Sequence, residues 1–131
     1  MKTKVLIVSV KYSHAVDSSQ RIMGILAGSA RCETEHIECL DHEKLDSLPQ
    51  QITNGNYNVA FIVWDFAFDE ELLVAALRLV HSQCPRLKLI AASKRPGCLE
   101  ILQEAGCVDG LDTGSSLELL PSHVLESIKH L

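Results

Sequence analysis

Residues 57–71 read YNVAFIVWDFAFDEE, and this stretch decides the fold of the chain. An uninterrupted apolar run from Val59 to Trp64 ends abruptly at Asp65. A strand that is apolar on both faces is typical of the centre of a parallel sheet, because helices cover it from above and below. Asp65 then falls at the carboxyl end of that strand, where α/β sheets gather ligands and chemistry. The stretch therefore predicts a central strand and the edge at which a site would lie.

Strand-like and helix-like segments alternate on both sides of this central run. Apolar and β-branched segments predict strands at residues 4–10, 59–64, 87–92 and 107–111. The charged segment at residues 32–39 predicts an edge strand. Helical spacing of apolar residues predicts helices at residues 15–27, 41–48, 69–84, 96–105 and 121–131. We expect the second helix to stop at Pro49, with a loop over residues 52–56. The order predicts an α/β fold in one domain, residues 1–131: a doubly wound three-layer sandwich with a five-stranded parallel sheet of order 2-1-3-4-5.

The composition narrows the class of protein. The chain has 131 residues, of which 47% are apolar and 22% charged, as in ordinary globular domains. A net charge of −5 and scattered basic residues argue against a nucleic-acid partner, since phosphate binding needs a clustered basic face. No stretch reaches the roughly 18 apolar residues that span a bilayer, so we expect no membrane association. Five cysteines without a C-x-x-C pair or a secretion signal indicate a reduced, cytoplasmic setting.

The order of elements and the hydrophobic pattern resemble the receiver domain of bacterial response regulators, a CheY-like, flavodoxin-like domain, over essentially the whole chain. The resemblance implies four functional positions. In receivers an acidic pair after the first strand holds Mg²⁺, and an Asp that ends the third strand accepts a phosphoryl group. A Ser or Thr follows the fourth strand, and a Lys follows the fifth. Each position can be located in this sequence.

The metal and acceptor positions carry the wrong residue types. Ser9 and Val10 stand where the acidic pair belongs, and Val63 stands at the acceptor position. Mg²⁺ requires hard oxygen ligands such as carboxylates, which these residues do not supply. The resemblance therefore implies a receiver that lacks its metal site.

The two remaining positions follow the fourth and fifth strands. Ser93, or Ala92 beside it, occupies the Ser/Thr position, whereas Thr113, or Gly114 beside it, replaces the Lys. Three of the four functional positions are thus lost. Phosphoryl transfer depends on positioning and on charge neutralisation by the metal and the cation, so this set should not support it. We therefore predict a pseudo-receiver with a degenerate pocket.

Asp65 allows two interpretations. It lies two residues beyond the lost acceptor, on the same face of the strand, and Ser93 and Lys94 are expected nearby. In this position it is either a displaced phosphoryl acceptor or a structural carboxylate that caps the next loop or helix by accepting backbone N–H bonds. The missing metal ligands favour the structural role.

A local resemblance extends to the N-terminal wing domain of the inducible lysine, arginine and ornithine decarboxylases. Their third strand is similar to Val59, Phe61, Trp64 and Asp65 here, followed by an acidic, Leu-rich helix as at residues 70–73. The pyridoxal-phosphate lysine of those enzymes lies in another domain. The resemblance therefore implies a wing domain without catalytic residues of its own.

Three short patterns of polar residues compete with ordinary structural roles. His36, Cys39 and His42 have the spacing with which a zinc site begins, but no second ligand cluster follows. Residues 11–14, KYSH, resemble the first loop of cobalamin-binding domains, without their D-x-H-x-x-G signature. The third pattern is either a phosphate-binding loop or a plain turn, and its residues are Gly110, Thr113, Gly114, Ser115 and Ser116. With no nucleophile motif either, we expect no enzyme, no metal and no cofactor.

Two classes of function remain. The domain is either a non-catalytic signalling, regulatory or assembly module or a domain that holds a small, cobalamin-like cofactor at the carboxyl edge. Bulky residues in the loops after the first and third strands favour the module. The partner is expected to be a protein or a second copy, contacted through the fourth and fifth helices, with Cys98 and Ile101 as candidate exposed apolar residues.

Overall fold

A computed structural model describes residues 3–28 and 32–114 of the chain. The strands are β1 (Thr3–Val10), β2 (Cys32–Cys39), β3 (Val59–Val63), β4 (Lys88–Ser93) and β5 (Asp109–Asp112). The helices are α1 (Ser19–Ala27), α2 (His42–Gly55), α3 (Glu70–Gln83) and α4 (Pro96–Glu104). The predicted fifth helix, residues 121–131, lies outside the described residues.

The five strands form one parallel sheet in the order β2-β1-β3-β4-β5, which confirms the predicted architecture. Every residue of β3 is buried, as expected for a central strand covered on both faces. Alternate residues of β3 enter two separate cores. One core contains Ala60 and Ile62 with the buried faces of α2, α3 and α4, and the other contains Phe61 with Ile22 of α1. The sheet is therefore the middle layer between helices.

Helix α2 departs from the prediction, because it continues through Pro49 to Gly55. Proline in a helix interior removes one hydrogen bond and costs about 3 kcal/mol. The helix nevertheless buries Leu45, Leu48 and Ile52 together with the proline, at helical spacing. Burial of each large apolar side chain contributes about 1.5–3 kcal/mol, so the buried face outweighs the proline penalty. The expectation of a short helix and a loop was wrong.

The first helix begins later than predicted, at Ser19 rather than Ala15. The backbone N–H of Ser19 donates to the Asp17 carboxylate, at 3.0 Å between N and Oδ1. Such a local side-chain bond competes with helical hydrogen bonding. Residues 11–18 therefore form a long connection that crosses the carboxyl edge of the sheet, and this connection contributes most to the site.

Candidate functional site

The carboxyl ends of β1, β3, β4 and β5 bring polar side chains together at one edge of the sheet. Register places Ser9 of β1 beside Val63 of β3, and Ser93 of β4 beside Asp112 of β5. Asp65, Ser93 and Thr113 are all buried there, although each follows or ends a different strand. The structure thus collects at this edge the residues predicted to form the receiver-like pocket.

Asp65 links two loops at this edge by hydrogen bonds. Its side chain is only 6% exposed. One carboxylate oxygen, Oδ2, accepts from the backbone N–H of Ser18 at 2.7 Å and from the Ser18 hydroxyl at 2.5 Å. The other, Oδ1, accepts from the backbone N–H of Lys94 at 2.8 Å. Asp65 therefore accepts backbone N–H bonds as predicted, but from the loops after β1 and β4 rather than from its own next loop or helix.

Ser18 extends the network to the last described strand. Its hydroxyl oxygen lies 2.6 Å from the hydroxyl oxygen of Thr113. The Thr113 backbone N–H donates to Ser93 O at 3.0 Å, and its carbonyl accepts from Nη1 of Arg21 at 3.0 Å. Thr113, which we predicted to take the place of the receiver Lys, thus connects β5 to the start of α1. We call Asp65, Ser18, Lys94 and Thr113 the carboxylate clamp.

Ser93 and Lys94 do not act on Asp65 through their side chains. The Ser93 hydroxyl donates to the carbonyl of Trp64 at 2.6 Å and accepts from the N–H of Arg95 at 3.0 Å. The Lys94 ammonium lies 5.8 Å from the ring centroid of Phe66, within the range of a cation–π contact. Both side chains are therefore used to shape the loops around β3 and β4.

A second pair of buried charges, Lys11 and Asp17, lies in the connection after β1, and the sequence reasoning missed it. The Lys11 side chain is 3% exposed and its ammonium donates to the carbonyl of Ala15 at 2.6 Å. It lies 3.8 Å from Oδ2 of Asp17 and 3.7 Å from a Glu38 carboxylate oxygen. Asp17 also accepts from the hydroxyl of Ser19. A lysine directly after a buried strand and an Asp-Ser-Ser triplet before a helix were the available signals.

The other predicted pocket residues, Ser9, Val10 and Val63, are buried, and none of them carries a charge. Ser9 is fully buried, and its hydroxyl lies 2.8 Å from Nε2 of His36 on β2. Burial lowers the pKa of His36, while the carboxylates of Glu38 and Asp17 act in the opposite direction. Val10 and Val63 are fully buried in the two different cores. These positions therefore supply packing and one neutral hydrogen bond, not metal ligands.

The three residues with zinc-like spacing, His36, Cys39 and His42, lie in different surroundings. His36 faces Ser9, whereas Cys39 is fully buried in the core on the other face, and burial raises the pKa of its thiol to about 12. His42 lies at the start of α2, with Nε2 3.0 Å from the hydroxyl of Tyr12. In residues 3–28 and 32–114, no group of three His, Cys, Asp or Glu side chains could hold a metal ion.

Aromatic side chains pack together at residues 11–14, the loop that resembled a cobalamin-binding loop, and at the loop after β3. Tyr12 stacks on Phe68 with ring centroids 4.4 Å apart, and its hydroxyl accepts from the backbone N–H of Asp69 at 3.2 Å. In the Gly- and Ser-rich segment, Gly110 belongs to β5 and the N–H of Gly114 donates to Asp112 at 2.9 Å. Ser115 and Ser116 lie outside the described residues.

The candidate interface on α4 requires a correction. Cys98 is buried, at 5% exposed, and was wrongly placed near the surface. Helical spacing directs Cys98, Leu102 and Ala105 toward the sheet, four and then three residues apart. Leu99 and Ile101 flank this face and are partly buried against the core. Of the two predicted interface residues, only Ile101 reaches the surface, and then only in part.

Neither a protein-family model nor a curated protein matches this sequence. Solved structures do match. A CheY-like receiver domain from Methanospirillum hungatei is similar with a TM-score of 0.67 and 18% identity, over 99% of this chain and 96% of that chain. The receiver domain of a Francisella response regulator gives a TM-score of 0.63 and 20% identity, over 98% of both chains.

A cobalamin-binding protein from Desulfitobacterium hafniense has a similar fold. It gives a TM-score of 0.63 and 11% identity, over 95% of this chain and 57% of that chain. At such identities the likeness shows the fold alone, because unrelated functions share flavodoxin-like architecture. The comparisons therefore confirm a receiver-like, flavodoxin-like fold. Within residues 3–28 and 32–114, no helix is both long enough and apolar enough to span a bilayer.

Proposed function

We propose that this domain is a pseudo-receiver: a non-catalytic module that acts in signalling, regulation or assembly through protein contacts, without Mg²⁺-dependent phosphorylation. The observation that carries the proposal is the state of Asp65. Both oxygens of this buried carboxylate already accept hydrogen bonds from the protein, three in all. A carboxylate held in this way supports the edge of the sheet instead of reacting there.

The chemistry of phosphoryl transfer supports the same conclusion. The reaction needs a metal ion and a cation that neutralise the charge of the transferred group. Ser9 and Val10 offer no carboxylate at the end of β1, and Thr113 takes the place of the cation. Asp17 is engaged with Lys11 and Ser19. The described residues thus lack the acidic cluster from which a magnesium site is built.

A module without chemistry must act through its surface. Receiver domains generally bind other proteins, and we keep the face formed by the fourth and fifth helices as the proposed partner site, for a protein or for a second copy of this chain. On the described part of this face, Ile101 is partly exposed; outside α4, Val108, just before β5, is 64% exposed. Apolar side chains at these positions are suited to a protein contact.

Two alternatives are less well supported. A cobalamin-like cofactor would need space at the carboxyl edge, where Tyr12 and Phe68 stack and the clamp ties the loops together. A decarboxylase wing domain would also act through protein contacts, and it rests on the short resemblance around Trp64 and Asp65. The pseudo-receiver proposal is better supported, because it rests on contacts between the loops after β1, β3, β4 and β5.

The proposal is tested by incubating the protein with Mg²⁺ and acetyl phosphate, followed by intact-mass spectrometry, and by adding beryllofluoride to a ¹⁵N-labelled sample. We expect no added mass and no change in the amide spectrum. A receiver with an intact acidic pair serves as the positive control for both reagents. Stoichiometric acyl phosphate that disappears in Asp65→Asn would overturn the proposal and identify Asp65 as a displaced acceptor.

A further inference from the structure

Helix α3 has an apolar stripe on its solvent side, in addition to the face that it buries against the sheet. The buried face consists of Leu73, Leu77 and Val80. On the opposite side of the helix, Leu72 is 36% exposed and Leu79 is 47% exposed. Seven residues make about two helical turns, so these two leucines lie in line, about 10.5 Å apart along the helix axis. Helix α3 is therefore apolar on two sides.

The stripe differs from the solvent sides of the other described helices. Among the large apolar side chains that are exposed in residues 3–28 and 32–114, Leu72 and Leu79 are the only ones in a helix. The exposed positions of α2, the neighbouring helix, carry only polar side chains. Between the two leucines lie Ala75, which is exposed, and Ala76, which is partly buried. Small residues at the middle of the stripe allow a second helix to approach closely.

Two charges of opposite sign flank the stripe. Glu71 and Arg78 are both exposed, and neither forms an ion pair or a hydrogen bond within the described part of the chain. They are also seven residues apart, so helical geometry places both on the same flank of α3. Ion pairs within a helix form at spacings of three or four residues, so these two charges do not pair with each other. The flank therefore has one negative and one positive end.

We propose that α3 pairs with α3 of a second copy of this chain, antiparallel and across a two-fold axis that passes near Ala75. Such an axis brings Leu72 of each copy against Leu79 of the other, because a two-fold interface repeats every contact. In an antiparallel pair the same flank of both helices meets, so Glu71 of each copy lies opposite Arg78 of the other. A parallel pair would instead bring like charges together. The charge pattern thus selects both the second copy and its orientation.

The size of the surface sets the strength of this association. A single pair of 14-residue helices covers less than the roughly 1,200–2,000 Å² that a stable protein complex buries. The dimer is therefore weak and forms at high protein concentration. It should also dissociate more readily as salt screens the flanking charges. The stripe lies on a different helix from Ile101, so the α3 surface and the α4 face of the proposed function can be tested separately.

Sedimentation equilibrium at protein concentrations up to about 1 mM measures the association. We expect a monomer–dimer equilibrium that Leu79→Glu weakens at least tenfold, because the new charge enters a two-fold interface twice. Ile101→Glu on α4 should leave it unchanged. A monomeric parent protein would overturn the proposal. Association that is lost in Ile101→Glu and kept in Leu79→Glu would also overturn it, since the second copy would then bind at α4.

Exchange of the two flanking charges tests the antiparallel arrangement. Glu71→Arg and Arg78→Glu each place like charges across the two-fold axis, so each variant alone should associate roughly tenfold more weakly than the parent. Asp69 and Glu70 still supply the acidic first turn of α3, so Glu71→Arg should leave the helix intact. A one-to-one mixture of the two variants should associate again, because the mixed pair has opposite charges at both positions. A mixture that associates no better than the single variants would overturn the antiparallel pairing.

Discussion

Replacing Asp65 with Asn tests the carboxylate clamp, because the clamp predicts that the free energy of unfolding falls. Asp65 offers two acceptor oxygens, which take the N–H groups of Ser18 and Lys94 from opposite sides. Asn keeps one oxygen and replaces the other with an NH₂ group, so one buried backbone donor must face another donor. The lost charge-assisted bond and the stranded donor together should lower the free energy of unfolding by about 2–4 kcal/mol.

The opposite sign is expected for a phosphoryl-accepting pocket. There, clustered carboxylates repel one another, and replacing one with a neutral amide relieves the repulsion. Asp69→Asn is the matched control, since Asp69 accepts from the N–H of Leu72 at 3.1 Å as an N-cap, a role that Asn fills equally well. The control should change the free energy of unfolding by less than about 1 kcal/mol.

Equilibrium urea unfolding, followed by the fluorescence of Trp64, measures both variants on one probe. A loss of this size should lower the urea midpoint by roughly 1–2 M, given ordinary denaturant slopes. If Asp65→Asn is as stable as the parent or more stable, while Asp69→Asn behaves as expected, the clamp does not hold this edge together. The structural reading of Asp65 would then have to be abandoned.

Two further predictions concern His36 and the α4 surface. Burial lowers the pKa of His36 below its unfolded value of 6.5, so stability should be full above pH 6.5 and should fall as the pH drops through the folded pKa; His36→Gln should flatten this decline in urea midpoints, and His14→Gln should not. If the α4 face binds a second copy, Ile101→Glu should weaken self-association in sedimentation experiments, whereas Leu79→Glu on α3 should not; a monomeric parent protein at high concentration would remove the homodimer proposal.

Local pattern was sufficient for most of the fold. The apolar run that ends at Asp65 predicted β3 and its position in the sheet, because a strand buried on both faces leaves a continuous apolar signal. Local pattern was insufficient at Pro49. The low helix propensity of proline predicted the end of α2 there, but the helix and its buried face continue to Gly55. Local pattern also misplaced Cys98, because several apolar residues of α4 compete for the face toward the sheet.

The sequence by itself determined that a carboxylate, Asp65, would stand at the carboxyl edge and that the first strand would end there in Ser9 and Val10, without a carboxylate. Only the tertiary structure decided what the carboxylate does. Its partner Ser18 lies 47 residues away in the chain, and Ser18 in turn meets Thr113 across 95 residues. Such contacts leave no periodic signal in a single sequence, because they depend on how the strands are ordered in the sheet and how a long loop crosses their ends.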